Sequence, residues 1–443
     1  MKRDKNKIKI HKLKEPFIYR VVIIGGGFAG IRAALVLLKK TENVYVILID
    51  KNHYHSYHPD YYEAACAVFK EFKETSISQF INLRQTIAIP FETIFRGRKN
   101  IQIIKDEIGD IDFEKSKILT LHKKEVKYDW LIVAAGSQTS FYDIPRLKEL
   151  SYELKTIQDA LNIRNGIDEL FERKGKREKI SVIIGGGGFT GCELAGEIMG
   201  YIKNLAKIHN HPRENIEIKI IEASPALLGG ASEWAREKTK KRLNNLGVKI
   251  LLNSQIEKVS KNSDYDFSKP SFIGSVHLKN RESLNFDILV WTAGVEAADI
   301  SKIFPKESLE KKLCLNTDNY LSARPFKNVF AVGDIAYCFD ETTKNPLPMT
   351  AQTAISQGRY AARAIIKKIN KQTLKPYQPK QSQFIIPLGG KYALADLKII
   401  KFSGFFAWAL KHLVTLRYFL SILPFFSALS LWLRGLRIYI KND

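Results

Sequence analysis

Three observations predict an α/β fold built from two copies of one unit, the first copy split along the chain, with an amphipathic helical tail. Arg20–Asp50 runs strand, glycine loop, helix, strand. The same order returns across residues 180–222. Beyond residue 400 the chain becomes aromatic and basic.

The first unit opens with Val21-Val22-Ile23-Ile24, short, apolar and mostly β-branched, as a strand buried on both faces requires. Gly25-Gly26-Gly27-Phe28-Ala29-Gly30 follows and fits G-x-G-x-x-G. In that pattern Gly25 permits the tight turn, Gly27 lets a pyrophosphate approach the backbone, and Gly30 lets the helix pack on the strand. Phe28 and Ala29 sit where a helix N-terminus offers free N–H groups and partial positive charge to phosphate. Val44–Ile49 is the second strand, and Asp50 closes it with a carboxylate placed to accept ribose hydroxyls. The combination predicts a Rossmann-like dinucleotide-binding domain.

Further along, Asn52–Tyr62 is rich in histidine and tyrosine. Pro59 and the lack of a metal-ligand spacing favour rings packed around a cofactor over a metal site. Ile77–Ile81 and Ile101–Ile111 read as strands. Tyr128–Val133 is another buried strand, and Ala134-Ala135-Gly136 lets a cofactor approach closely. Pro145 marks a crossover out of the domain.

The second copy begins at Ile180–Ile184. Gly186-Gly187-Gly188-Phe189-Thr190-Gly191 repeats the first loop, with Gly185 as an additional residue before it. Glu217–Ile221 ends in Glu222, and Phe286–Gly294, with Ala293 and Gly294 at its end, echoes Tyr128–Gly136. Repetition of several elements in one order indicates a duplicated fold. Glu222 accepts both ribose hydroxyls and repels a 2′-phosphate, which favours NADH over NADPH. Asn328–Val332 is a strand ending in Gly333-Asp334, and Thr350 caps a helix from Ala351 to about Ile369. The expected organisation is a basic arm over residues 1–16, a first dinucleotide-binding domain over 17–145 and 313–385, a second, NADH-binding, over 146–312, and a membrane-associating region over 386–443.

These motifs resemble the flavoproteins with two dinucleotide-binding domains. Within them, Gly186–Glu197 and Ala351-Gln352-x-Ala354-x-x-Gln357 resemble type II NADH dehydrogenases, single-chain NADH:quinone oxidoreductases. The resemblance spans roughly residues 17–435. It implies FAD held through Gly25, Gly27, Gly30, Asp50 and Asp334, and NADH held through Gly186, Gly188, Gly191 and Glu222. It implies that Glu193 lies beside flavin and nicotinamide and that Gln352 lies at the quinone edge, with Gln357 a further catalytic candidate. Glu197, one turn beyond Glu193, is expected to be structural, and Cys192 a small packing residue.

The net charge of +24 admits nucleic acid or an anionic membrane as partner. No nucleic-acid motif occurs, and the charge gathers at the two ends of the chain. In the tail, Ser427, Ser430, Arg434, Arg437 and Lys441 fall at steps of three and four, one face of a helix. With Pro424 inside the longest uncharged run, the pattern suits helices lying on a lipid surface and anchoring the protein at the cytoplasmic face of the cell membrane. A homodimer is the alternative use of such a tail. Four cysteines without C-x-x-C spacing point to a reducing compartment and away from protein-ligated iron–sulfur clusters. No secretory signal is expected, since the first apolar run is the glycine-loop strand. The expected chemistry is non-pumping electron transfer from NADH through FAD to a membrane quinone. A sulfide:quinone oxidoreductase and an NADH-sensing flavoprotein with little quinone turnover are the rivals.

Overall fold

The computed structural model describes residues 19–68, 76–176, 178–262, 272–340, 345–379 and 383–442; the basic arm over residues 1–16 lies outside them. Tyr19–Ile24 (β1), Val44–Asp50 (β2), Ile101–Lys105 (β3) and Trp130–Val133 (β4) form a parallel sheet in the order β3-β2-β1-β4. Phe28–Lys40 (α1) joins β1 to β2. Val21, Val22 and Ile23 are fully buried, so β1 is covered on both faces as its composition requires.

Two local readings change. Ser76–Ile87 is a helix where Ile77–Ile81 reads as a strand. Leu83 and Ile87, four residues apart, are both buried, so the segment follows a helical period rather than alternation. Residues 101–111 form two strands rather than one, because β3 ends at Lys105 and Ile108–Asp112 starts an antiparallel meander with Lys117–Thr120 and Glu125–Lys127.

The second unit repeats the plan. Ile157–Arg173 (α2), fixed by a capping box at Thr156 and Asp159, leads into Ile180–Gly185 (β5), Phe189–Ile208 (α3), Ile216–Ile221 (β6), Val248–Leu251 (β7) and Ile288–Trp291 (β8). Its parallel order is β7-β6-β5-β8, and a three-stranded meander again precedes the last strand. The helix α3 has 20 residues against 13 in α1, which accounts for the long interval between the second glycine loop and Glu222. Gly185 is no insertion. It pairs with Trp291 at the end of β5, and a Cβ there would stand 2.4 Å from the Trp291 ring.

Ser137–Thr139 pairs antiparallel with Val295–Ala297, so the outgoing and returning chains cross side by side. The crossings fall before residues 145 and 313. Leu147 packs in the core of the second unit, and Phe304 and Leu315 pack in the core of the first. Val329–Ala331 (β9) then joins β4 as the fifth strand of the first sheet. Ala351–Ile369 (α4) packs on α1 so closely that a Cβ on Gly358 would lie 2.1 Å from the Ala29 carbonyl oxygen. Gly358→Ala is therefore expected to destabilise the protein by about 1–3 kcal/mol through overpacking. A lowered thermal midpoint, with elution volume unchanged, is the readout.

The remaining chain is an antiparallel sheet of Phe384–Pro387 (β10), Ala393–Asp396 (β11) and Lys401–Gly404 (β12), followed by Phe405–Leu420 (α5) and Phe425–Tyr439 (α6). The tail folds back onto the body. Phe419, Ile422, Leu423 and Ala428 share one core with Leu37, Ala361 and Ile365. Past α6, Asn442 Nδ2 donates to the Glu197 carboxylate at 2.7 Å and to its carbonyl at 3.1 Å.

Candidate active site

The two glycine loops are built alike. Gly26 N–H donates to Asp50 Oδ2 at 2.6 Å, and Gly187 N–H donates to Glu222 Oε2 at 2.6 Å. The other carboxylate oxygens accept from Asn52 N–H and Ser224 N–H, both at 2.7 Å. Gly25 and Gly186 take φ of +100° and +108°, a region that favours glycine. A Cβ on Gly30 would stand 1.9 Å from the Gly25 carbonyl, and one on Gly191 would stand 2.0 Å from that of Gly186. Gly27 and Gly188 differ from these, because nothing lies within 4 Å of the position their Cβ would take. Each loop is thus an open cradle at a helix N-terminus, headed by Phe28-Ala29 or Phe189-Thr190, and fits a pyrophosphate. Ala135-Gly136 and Ala293-Gly294 end the neighbouring strands; Gly136 has open space beside it, whereas Tyr142 covers Gly294.

Between the cradles, Lys155 Nζ donates to Ser137 Oγ at 2.9 Å, and Ser137 Oγ donates to Asp334 Oδ2 at 2.7 Å. Burial lowers the Lys155 pKa, and Asp334 opposes that shift. Gly333 N–H donates to Gln357 Oε1 at 2.7 Å, and Gln357 is 1% exposed. Its carbonyl oxygen is thereby tied to the Gly333-Asp334 loop. Gln352 sits exposed in the first turn of α4 beside half-buried Ala351, where Thr350 caps the helix by accepting from Thr353 N–H.

The histidine- and tyrosine-rich loop meets the tail. The His55 ring accepts from the Tyr418 hydroxyl at 2.8 Å through Nε2, which leaves Nδ1–H to donate to the Gly26 carbonyl at 3.0 Å. Burial lowers His55 to about 4, consistent with this neutral form. Phe28 completes the packing, 5.0 Å from the His55 ring and 5.1 Å from that of Tyr418. Among the described residues no group of His, Cys, Asp and Glu side chains can hold a metal.

Behind these rings lies a buried charge cluster absent from the sequence reading. Lys411 of α5 bonds Asp60 at 3.0 Å and also bonds Glu63, which in turn accepts from the Tyr62 hydroxyl at 2.8 Å. Burial works to lower the Lys411 pKa, but Asp60 and Glu63 more than reverse it. Burial raises Asp60 against the pull of Lys411. Glu193, one turn into α3, lies within the field of all three. Burial drives it up to about 8, Lys411 opposes, and Glu63 and Asp60 add to the rise. Three carboxyls share one ammonium, so a proton stays with the acids at neutral pH. Glu193 keeps partial solvent access within these dense surroundings.

A family model described as pyridine nucleotide-disulphide oxidoreductase matches residues 19–358. The chain belongs to that family. Over 435 residues the chain is 26% identical to the type II NADH:quinone oxidoreductase Ndh of Mycobacterium tuberculosis, covering 94% of this chain and 88% of that one. In fold it is similar to NDH2 from Plasmodium falciparum, with TM-score 0.76, 18% identity, and 95% and 98% of the two chains covered. It is also similar to the sulfide:quinone oxidoreductase of Aquifex aeolicus, with TM-score 0.73, 18% identity and 91% of each chain covered. Despite the family's name, none of the four cysteines of this chain is in a disulfide. Cys192 is a buried packing residue whose thiol donates to the Gly187 carbonyl at 3.4 Å.

Proposed function

We propose that the chain is a peripheral membrane NADH:quinone oxidoreductase that holds FAD in the Gly25–Gly30 cradle and takes NADH at the Gly186–Gly191 cradle. The observation that supports this reading is the pairing of two open cradles in one chain, each with its own carboxylate, with Glu193 near the start of the helix that leaves the second. Asp50 and Glu222 suit ribose hydroxyls, and neither has an arginine beside it for a 2′-phosphate. Bound in the first cradle, FAD would supply the two-electron carrier between nicotinamide and quinone. The chain's part is position and charge. The N-terminus of α4, with Gln352 in its first turn, favours negative charge on a ring placed there. Gln352 is also placed to orient a quinone carbonyl.

Glu193 holds a proton at neutral pH and is the group to give it up. With a folded pKa of about 8, its protonated fraction falls as pH rises through that value. Quinone-dependent turnover is therefore expected to fall on the alkaline side. Glu193→Gln keeps the shape but has no proton to give. It is expected to lower kcat about 100-fold, leave the NADH KM within about twofold, and erase the alkaline limb. A variant that retains the limb would remove Glu193 from this role.

The tail supports the membrane part of the reading by exposing rings beside bases, with Arg417, Arg434 and Arg437 at the surface. Lys411, His412 and Thr415 are buried, while Phe406 and Phe426 are 78% and 82% exposed. An apolar face of this kind marks a contact surface, and a lipid layer is where a quinone is met. No helix among the described residues is long and apolar enough to cross a membrane. The sulfide-oxidising alternative lacks support from the cysteines, since burial pushes the Cys192 thiol well up and Cys66 lies in the core. The direct test is NADH consumption by purified, flavin-loaded protein with and without a soluble quinone. Rapid bleaching of the flavin by NADH followed by quinone-dependent turnover supports the assignment; bleaching without turnover indicates a sensor, and bleaching by sulfide alone indicates the rival enzyme.

A further inference from the structure

At the bend between α5 and α6 the fold brings two arginines together. Arg32 lies one turn into α1, and Arg359 follows Gly358 on α4, at the point where those helices cross against Ala29. Arg32 Nη2 donates to Ser421 Oγ at 2.6 Å, and Ser421 Oγ donates onward to the Tyr418 carbonyl at 2.6 Å. The serine hydroxyl is thereby committed. Arg32 Nε is buried and has no hydrogen-bond partner. Among the described residues neither guanidinium pairs with a carboxylate. Burial and then the charge of Arg359 both weaken the hold of Arg32 on its proton. Two like charges and a buried idle N–H are unfavourable until an anion meets them.

What surrounds the pair identifies that anion. Leu420, Phe425 and Phe426 flank the bend and are exposed. The helix α6 starts at Phe425 without a side-chain cap, so its first N–H groups have no side-chain acceptor. A phosphate that carries its own hydrocarbon satisfies both the donors and the apolar rim; a free phosphate satisfies only the donors.

We propose that this corner is a binding site for the phosphate of an anionic phospholipid, with Arg32 and Arg359 gripping the headgroup while Leu420, Phe425 and Phe426 enter the acyl layer. The inference rests on the membrane reading above and narrows it from general surface charge to one seat. A seat shared by two arginines has a signature that scattered charges lack. One phosphate bridges both, so losing either arginine forfeits most of what losing both does.

The test uses the flavin-loaded full chain and co-sedimentation with galactolipid vesicles that carry either phosphatidylglycerol or an equal charge of oleate. Wild type should bind the phosphatidylglycerol vesicles more tightly than the oleate vesicles. Arg32→Gln and Arg359→Gln should each weaken that binding about fivefold, and the double variant little further. Arg359 is exposed, so its variant reads the site even where the Arg32 variant folds poorly. Equal binding to the two vesicles, unaffected single variants, or losses that multiply in the double variant overturn the seat while leaving membrane association intact. Wild type that ignores both vesicles overturns the membrane reading itself. A thermal midpoint raised by inorganic phosphate over chloride at matched ionic strength, and not in the double variant, reassigns the corner to free phosphate.

Discussion

Aspartate in place of Gly188 is expected to abolish NADH oxidation while leaving the flavin bound. The residue caps α3 with φ −73° and ψ −170°, extended backbone that any side chain adopts. No atom lies within 4 Å of the new Cβ, and aspartate is a favoured N-cap, so the fold has no reason to suffer. The carboxylate instead occupies the place of the pyrophosphate with the same sign of charge. Like charges so placed cost several kcal/mol, so kcat/KM for NADH should fall at least about 100-fold. The mirror change, Gly27→Asp, acts at an equivalent cap, φ −76° and ψ −167°, and should expel the flavin instead. Flavin absorbance and NADH titration of the two variants separate the cradles. The same defect in both would remove the assignment of one nucleotide to each.

The second large effect belongs to Lys411. Lys411→Met removes the cation between Asp60 and Glu63 and leaves their carboxyls buried without it. Breaking a buried pair from one side costs about 3–5 kcal/mol. The loss depends on pH with a definite sign. Burial already raises Asp60 above its ordinary value, and removing Lys411 raises it further. A carboxyl raised on folding adds stability below its unfolded pKa and loses that contribution as pH rises through the folded one. The variant should therefore approach wild type in mildly acidic buffer and fall furthest behind at neutral pH and above. Denaturant unfolding at several pH values measures this, and a deficit independent of pH would mean that lost packing, not charge, is responsible.

Both units are legible from local pattern. Each glycine loop, helix and closing acid is contiguous or nearly so, and the steric needs of a tight turn are written in the residues themselves. The tail's outward rings are legible as well, from aromatic content and helical spacing. What escapes is whatever depends on distant partners. Ile77–Ile81 reads as a strand because a short apolar run carries little period, and the burial of Leu83 and Ile87 decides for a helix only in the folded chain. Gln357 belongs to a recognisable pattern, yet its carbonyl turns to Gly333 rather than outward. Lys411 lies 351 residues from Asp60 and 348 from Glu63 in sequence. A lone lysine in an aromatic helix was the available signal, since a charge on an otherwise apolar stretch needs a partner or a lipid surface.

The bond from His55 to Gly26 on one side and Tyr418 on the other has an implication for ancestry. A segment that merely floated a soluble enzyme onto a bilayer could be exchanged between relatives like a detachable keel. Here the keel is pinned to the backbone of the first phosphate-binding turn. Grafting a foreign tail without His55 and its neighbours transplants half of a joint, so the two stretches are expected to vary together among relatives.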